Sequence, residues 1–271
     1  MSHNLSAKAK EIRFSVVDMI YKAGDGHPGP SLGVVDIITA LYFCELNIDP
    51  KNPDNPERDR FIISKGHACP ALYAALAKRG YFSEETLPTL RQYGSILQGH
   101  PSICTPGVDA VSGSLGNGIS IGLGMEIARQ RFDKQYYTYV LMGDGEMNEG
   151  VAWEGVIAAA KHRAVNMIVF VDNNGYQSGG SCASVSNIEP FEAKFEAFGW
   201  HVQTIDGNDI DQILSAIEKA KANKSKPSAI IARTIKGKGV SFMENNNAWH
   251  KGVPSEEQWR KAAEELGGIA R

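Results

Sequence analysis

The chain has 271 residues, of which 42% are apolar and 22% are charged, and its formal net charge at pH 7 is −3. A chain of this length and composition can bury a substantial core without the help of disulfides. The nearly balanced charge excludes the strongly basic surface of proteins that bind a nucleic-acid backbone.

The predicted elements begin with a helix over residues 5–23, where apolar residues recur at helical spacing until Gly24 ends the pattern. A second helix is predicted over residues 32–46. The segment 49–55 contains several proline, Asn and Asp residues and therefore allows only a loop.

The second half of the chain alternates apolar, strand-like runs with helical stretches. Strands are predicted over residues 137–142, 167–171, 201–205 and 229–232. Helices are predicted near residues 151–163, 191–198, 210–222 and 255–266. This alternation predicts an α/β fold with a mostly parallel sheet and helices on both faces. Such sheets bind ligands beyond the carboxyl ends of their strands, where the glycine-rich turns of this sequence fall.

The sequence shows no internal repeat, low-complexity tract or long Gly/Ser linker. We therefore expect a single domain over residues 1–271, with a C-terminal extension from about residue 240. The four cysteines are widely spaced and form no C-x-x-C pair, which is typical of free thiols in a reducing compartment. The N-terminal stretch lacks an apolar signal core, and no apolar run approaches the roughly 20 residues that cross a bilayer. These features predict a cytoplasmic protein.

Two polar turns follow two successive predicted strands. G-D-G occupies residues 143–145, and D-N-N-G occupies residues 172–175. Asp144 and Asn174 lie 30 residues apart, the length of one strand–helix–strand unit, so both should emerge at the same sheet edge. A carboxylate and an amide oxygen there could hold Mg²⁺ or Ca²⁺ against a diphosphate. Gly145 could then donate its N–H to the phosphates.

Each turn alone has a plainer interpretation. G-D-G is a common turn, and D-N-N-G is equally typical of turns. The second turn partly resembles a calcium loop, but Tyr176 occupies the third alternate ligand position and no glutamate closes the loop at position twelve. The pair at this spacing is much more specific than either part.

The two turns together, each after a strand, resemble the thiamine diphosphate signature shared by transketolases and related enzymes. The resemblance implies a thiamine diphosphate-binding fold, with this chain as the diphosphate-binding domain. It also implies three metal ligands, namely Asp144, Asn174 and the backbone carbonyl of Tyr176.

Four histidines lie in loops rich in glycine or proline. A lone loop histidine is usually solvated, but four of them in such loops indicate a converging site. Their segments resemble the transketolase histidine motifs in order, and the likeness runs over nearly the whole chain. The segments are G-H-P-G at 26–29, G-H-A at 66–68, G-H-P at 99–101 and the late His250.

A glycine-rich stretch at residues 113–118, G-S-L-G-N-G, resembles the transketolase loop G-P-L-G-Q-G. It departs at Ser114 and Asn117, which lowers the stiffness expected of the loop. The resemblance assigns contacts with thiamine diphosphate to His67, Gly113, Ser114, Leu115, Gly145, Asn174 and His250. It assigns contacts with the sugar to His27, His100 and His250, because imidazoles can exchange a proton near neutral pH.

Two further segments allow both a functional and a structural interpretation. Glu149 matches a family glutamate that lies at the subunit interface in a proton network, although it could also cap a helix start. K-G-K-G at residues 236–239 could add positive charge near phosphate, but we interpret it as a solvated loop. His162 matches no motif and is interpreted as a surface residue. The catalytic candidates are therefore His27, His100, His250 and Glu149.

A full-length transketolase is much longer and has a second domain that binds the aminopyrimidine of the cofactor. The resemblance therefore implies the N-terminal subunit of a split transketolase, active only with a separate partner, in a heterotetramer of two copies of each. Because the sequence begins with methionine and ends in a predicted helix, we expect a natural subunit rather than a fragment. The expected reaction transfers a two-carbon ketol unit from a ketose to an aldose, as in pentose phosphate metabolism.

Two alternatives remain at the level of the sequence. One is the α subunit of a 2-oxoacid dehydrogenase or decarboxylase, which shares the diphosphate motif but normally lacks the four histidines. The other is a non-catalytic module that binds thiamine diphosphate. The sequence specifies neither the donor nor the acceptor sugar.

Overall fold

Every neighbouring pair of strands in the central five-stranded sheet is parallel. The structure is a computed structural model that describes residues 2–268, with side chains from residue 4 onward. The sheet order is β1-β2-β3-β7-β6, and β4 and β5 form a separate antiparallel hairpin. In chain order the strands are β1 (Arg60–Ile63), β2 (Thr138–Gly143), β3 (Met167–Asn173), β4 (Tyr176–Gln177), β5 (Gly180–Ser181), β6 (His201–Asp206) and β7 (Ser228–Arg233).

Helices cover both faces of this sheet, which confirms the predicted α/β fold. They are α1 (Ser2–Ala23), α2 (Pro28–Gly33), α3 (Val35–Ala40), α4 (Cys69–Arg79), α5 (Asn117–Arg131), α6 (Gly150–Lys161), α7 (Cys182–Val185), α8 (Phe191–Ala197), α9 (Ile210–Ala222) and α10 (Glu256–Leu266). A π-helical turn (Leu41–Glu45) follows α3, and short 3₁₀ turns lie at Gly66–Ala68, Glu84–Thr89, Glu146–Asn148 and Asn247–His250.

The predicted helix over residues 32–46 is interrupted and begins earlier than expected. Pro28 and Pro30 lie in the first turn of α2, where a missing backbone N–H costs nothing. Val34 then leaves helical geometry between α2 and α3, and the π-helical turn follows. The stretch is therefore helical from residue 28 to residue 45, in three pieces.

Alternate residues of the central strands enter two separate cores. Leu141 and Phe170 pack on one face, against a cluster that includes residues of α1, α3, α4 and α9. Val140 and Val169 pack on the other face, against residues of α5, α6 and α8. Because both faces are covered, these strands are apolar throughout rather than alternating.

The C-terminal segment packs back on the first helix. Ser255 and Gln258 form a capping box at the start of α10. The ring of Trp259 stacks on Tyr21 of α1 with centroids 5.0 Å apart. The division of the chain into one domain and an extension stays a prediction. Within residues 2–268, no helix is both long and apolar enough to cross a membrane.

Candidate active site

A cleft of about 320 Å³ lies at the carboxyl ends of β1, β2, β3 and β7. Ligands of parallel α/β sheets bind at this end of the strands. Ten of the site residues predicted from the sequence line the cleft: His27, His67, Gly113, Leu115, Asp144, Gly145, Glu149, Asn174, Tyr176 and His250. The two other candidates, Ser114 and His100, lie beside it.

The two polar turns lie side by side, because β2 and β3 are neighbours and Gly143 pairs with Asp172. Asp144 accepts the Gly145 N–H at Oδ1 (2.7 Å) and the Gly175 N–H at Oδ2 (2.6 Å). Asn174 accepts the Tyr176 N–H at Oδ1 (3.0 Å). Each of these oxygens keeps a second lone pair that a cation could use.

Burial, and then the charge of Asp172, raise the pKa of Asp144 to about 6. A divalent cation bound to Asp144 would stabilise the charged carboxylate and so offset the effect of burial on its pKa. Within residues 2–268, no group of three or more His, Cys, Asp or Glu side chains could hold a metal. The proposed ligand set contains only one such side chain, and an amide and a carbonyl oxygen complete it.

Next to the proposed metal ligands lies a set of polar side chains, the floor network, in which the buried Lys65, Asp172 and Thr234 connect to the half-buried Asn174. Asp172 is fully buried and receives an ion pair from Lys65 and a hydrogen bond from the Thr234 hydroxyl. Its Oδ2 also accepts the Asn174 amide N–H at 2.8 Å. This bond sets the orientation of the Asn174 side-chain amide, with its NH₂ group towards Asp172. Sequence reasoning read Asp172 only as part of a turn and missed Lys65.

Three of the predicted histidines form a tight cluster. The ring centroids of His27, His67 and His250 lie 5.3 to 5.6 Å from one another. Burial is the main cause that lowers the pKa of His27 and of His250 to about 4, and that of His67 to about 2. All three imidazoles are therefore neutral at pH 7.

The fourth histidine lies behind the glycine-rich loop. A Cβ atom on Gly113, whose φ is +144°, would lie 3.3 Å from the His100 ring. Burial, and then the charge of Arg91, lower the pKa of His100. The structure thus brings His100 against the loop and not into the lining of the cleft.

The family described as "Transketolase, thiamine diphosphate binding domain" matches residues 5–269. The chain belongs to the transketolase family. This confirms the resemblance that the motifs predicted.

Relatives of the same length carry the word subunit in their names. The 6-deoxy-6-sulfo-D-fructose transketolase subunit SqwG of Clostridium sp. (strain MSTE9) is 46% identical, over 97% of this chain and 96% of that protein. An apulose-4-phosphate transketolase subunit of Phocaeicola vulgatus is 39% identical, over 97% of this chain and 93% of that protein. The chain is therefore one subunit of a transketolase-type enzyme.

A solved transketolase has the same fold over this chain. The structure from Campylobacter jejuni superposes with a TM-score of 0.93 at 35% identity, over 97% of this chain and 43% of that one. This transketolase subunit therefore spans less than half the length of that enzyme.

The structure of the transketolase subunit also shows the surroundings of three other features singled out in the sequence. Glu149 is exposed at the start of α6, and its side chain makes no capping hydrogen bond. His162 is exposed, as expected. Asn117 donates to Ser114 Oγ at 2.9 Å, so the two residues that depart from the family loop bond to each other.

The solvated-loop interpretation of residues 236–239 is wrong for Lys236. Only 1% of this residue is exposed, and its Nζ donates to Asn247 Oδ1 at 2.7 Å and lies 3.0 Å from His250 Nδ1. The Gly237 N–H donates to the Gly29 carbonyl at 3.0 Å, which holds the segment against α2. Burial lowers the pKa of Lys236 to about 8.

The residues of the cleft fit thiamine diphosphate and a divalent cation. A Cβ atom on Gly145 would lie 2.5 Å from Gln177 Cβ, so only glycine fits at this point without a shift of the neighbouring segment. The Nδ1 atom of His27 is buried and has no hydrogen-bond partner within residues 2–268. Oxygen ligands for a cation and this ring nitrogen therefore share one cleft. The individual roles of these residues stay predictions.

Proposed function

We propose that this chain is the cofactor-holding subunit of a two-subunit transketolase that transfers a two-carbon ketol unit from a ketose to an aldose. One observation supports it above the others. A single cleft at the strand ends contains Asp144, Asn174 and a cluster of three neutral imidazoles, in a chain that matches transketolase subunits over nearly its whole length. A 2-oxoacid dehydrogenase subunit would not need that cluster.

The proposed cofactor contacts are those that the resemblance implies, and all of them except Ser114 line the cleft. When bound, thiamine diphosphate supplies a carbanion that breaks and remakes a bond next to a carbonyl group. Asp144, Asn174 and the Tyr176 carbonyl would hold Mg²⁺, or Ca²⁺, against the diphosphate oxygens. The groups that would contact the cofactor itself are His67, Gly113, Ser114, Leu115, Gly145, Asn174 and His250.

The sugar would meet His27, His100 and His250. The Lys236 ammonium, which can only donate, lies 3.0 Å from Nδ1 of His250, so the single ring proton of the neutral imidazole would be on Nε2. His250 can therefore donate a hydrogen bond through Nε2 to a sugar hydroxyl or carbonyl oxygen. Neutral rings suit a reaction in which protons move on and off sugar oxygens. Glu149, exposed at the edge of the cleft, would contribute across the subunit interface.

The active enzyme would need a second chain that carries the pyrimidine-binding domain, in a heterotetramer of two copies of each. The names of two relatives specify a sulfonated and a phosphorylated sugar. We therefore propose that the substrate is a ketose with an anionic terminal group, which need not be a pentose phosphate. All four cysteines are free thiols, which is consistent with a reducing, cytoplasmic setting.

Mixing the purified chain with its partner tests the proposal. Ketol transfer should require both chains, thiamine diphosphate and Mg²⁺. Turnover by this chain alone would contradict the two-subunit form, and decarboxylation of pyruvate by the pair would favour the 2-oxoacid dehydrogenase alternative. Cofactor binding without turnover in any assembly would indicate a binding module.

The metal ligands can be tested in the assembled enzyme. Asp144→Ala should abolish Mg²⁺-dependent cofactor binding, because it removes the one anionic ligand of the set. The matched control is Asp54→Ala, which alters an exposed loop residue far from the cleft in sequence. Unchanged cofactor affinity in Asp144→Ala, measured by titration calorimetry, would count against the assigned metal site.

A further inference from the structure

Residues 113–118, here called the cradle loop, run into the first turn of α5 and border the cleft through Gly113 and Leu115. The loop has Ser114 and Asn117 in place of the proline and glutamine of the usual transketolase motif, and contacts with other segments add to the bond between these two residues. Two of its amides bond to groups outside it. The Gly116 N–H donates to Glu146 Oε1 at 2.8 Å, and the Gly118 N–H donates to Ser64 Oγ at 3.2 Å.

Glu146 lies at the centre of these contacts. It is 3% exposed, and its Oε1 accepts the Ser64 hydroxyl as well as the Gly116 N–H. Its Oε2 accepts the Gly143 N–H at 3.0 Å. Ser64 directly follows β1, and Gly143 ends β2. One carboxylate thus joins two strand ends to the cradle loop.

We propose that Glu146 is a positioning residue that holds the cradle loop in the conformation that receives thiamine diphosphate. Glu146 borders the cleft, but its two oxygens are already bonded to Ser64, Gly116 and Gly143, so it acts through the loop. Three donors converge on its two oxygens, and hydrogen bonds to a carboxylate are stronger than those to a neutral group. This inference rests on the proposed function, since the cofactor is the ligand of the loop.

Glutamine is the sharpest replacement for Glu146. It has nearly the same shape, but its NH₂ group is a donor and would face an N–H or O–H donor where an oxygen now accepts. Ser64→Ala is a milder change that removes the bridge from Glu146 to the Gly118 N–H. Glu218→Gln is the matched control, because Glu218 is exposed on α9.

The first readout is the concentration of thiamine diphosphate that half-saturates the assembled two-subunit enzyme. Glu146→Gln should raise it about 10- to 100-fold, as expected when the support of a binding group is lost. The kcat at saturating cofactor should stay within about twofold of wild type, since a positioning residue of the loop affects cofactor binding and not the chemical step. The effects of Glu146→Gln and Ser64→Ala should be less than multiplicative in the double variant, because both act in one network.

The second readout needs no turnover. Amide hydrogen exchange of a peptide that covers the cradle loop should be faster in the cofactor-free complex of Glu146→Gln and Ser64→Ala, and unchanged in Glu218→Gln. A general loss of folding would raise exchange everywhere. Should Glu146→Gln fail to assemble, Ser64→Ala carries both readouts.

Three results would overturn the role of Glu146: a cofactor affinity unchanged in both variants, a loss confined to kcat, or loop exchange identical to wild type. A wild-type complex without cofactor-dependent turnover would contradict the proposed function instead. In that case the exchange measurement still decides whether Glu146 holds the loop.

Discussion

Two charged clusters flank the histidines of the cleft at very different depths. The ion pair of the floor network joins Lys65 and Asp172, whose side chains are 3% and 0% exposed. The rim cluster consists of Asp25, Arg91 and Lys251. Arg91 lies 2.5 Å from Asp25, but these side chains are 24% and 40% exposed.

The depth of each cluster determines how much its charges affect stability. An exposed pair is screened by water and contributes little to stability, whereas a buried charge without its partner is very unfavourable. The floor network also fixes Asn174, so its charges are coupled to the proposed metal site. The rim cluster makes no contact of this kind with the proposed ligands. The comparison predicts a stability role for the floor and a weak electrostatic role for the rim.

The largest expected effect is that of Asp172→Asn. It leaves the Lys65 ammonium buried without its ion-pair partner, so the free energy of unfolding should fall by about 3–5 kcal/mol. Urea unfolding of the purified chain measures this loss. The double variant Lys65→Met/Asp172→Asn should recover much of it, because the unpaired charge is gone. A loss below about 1 kcal/mol in the single variant would show that the pair behaves like an exposed one.

The floor network also shows where sequence reasoning stops. Lys65 and Asp172 are 107 residues apart, and Ser64 and Glu146 are 82 apart. Nothing local in the sequence pairs them, because the pairing depends on which strands are neighbours. The sheet order places β1 beside β2 and β2 beside β3. The position of Lys65 directly before the G-H-A motif was the signal in the sequence that could have drawn attention to it.

The parts of the fold that were predicted correctly share a local signature. Strands β2, β3, β6 and β7 are apolar or alternating runs bounded by turns, and each lies within two residues of its predicted range. Strand β1 has only four residues and was not located. Helix α5 was missed because its glycines and apolar residues form no single stripe.

The cleft itself was predicted through motif resemblance more than through physics. Asp144 and Asn174 have a local rationale, since turns after neighbouring parallel strands meet at one edge. The convergence of His27, His67 and His250 has none, because the three lie in separate loops that only the fold brings together. Burial of Lys236 was likewise invisible, since a K-G-K-G segment is usually solvated.

A second, smaller effect comes from the buried histidines. The folded chain holds the pKa of His67 at about 2, mainly through burial and then through Lys65, His250, His27 and His100. The unfolded chain titrates at about 6.5. Between these values the unfolded state binds more protons, so stability falls as pH drops below about 6.5. His67→Gln should therefore lose less stability than wild type between pH 7.5 and pH 5.

Urea midpoints across this pH range, on the cofactor-free chain, measure the difference. His162→Gln is the control, because His162 is exposed on the opposite end of α6 from the cleft. Parallel pH profiles for wild type and His67→Gln would mean that the imidazole is as accessible to protons in the folded chain as in the unfolded one.

The smallest effect should come from the rim. Asp25→Asn removes the anion that faces Arg91 and Lys251 at 2.5 and 3.4 Å, yet the loss of stability should be below about 1 kcal/mol, since solvent already screens the pair. The same change should lower the pKa of His27 further, because Asp25 is the group that raises it against the two cations. Chemical-shift titration of the His27 ring measures that shift. If Asp25→Asn destabilised the chain as much as Asp172→Asn, depth would not be what separates the two clusters.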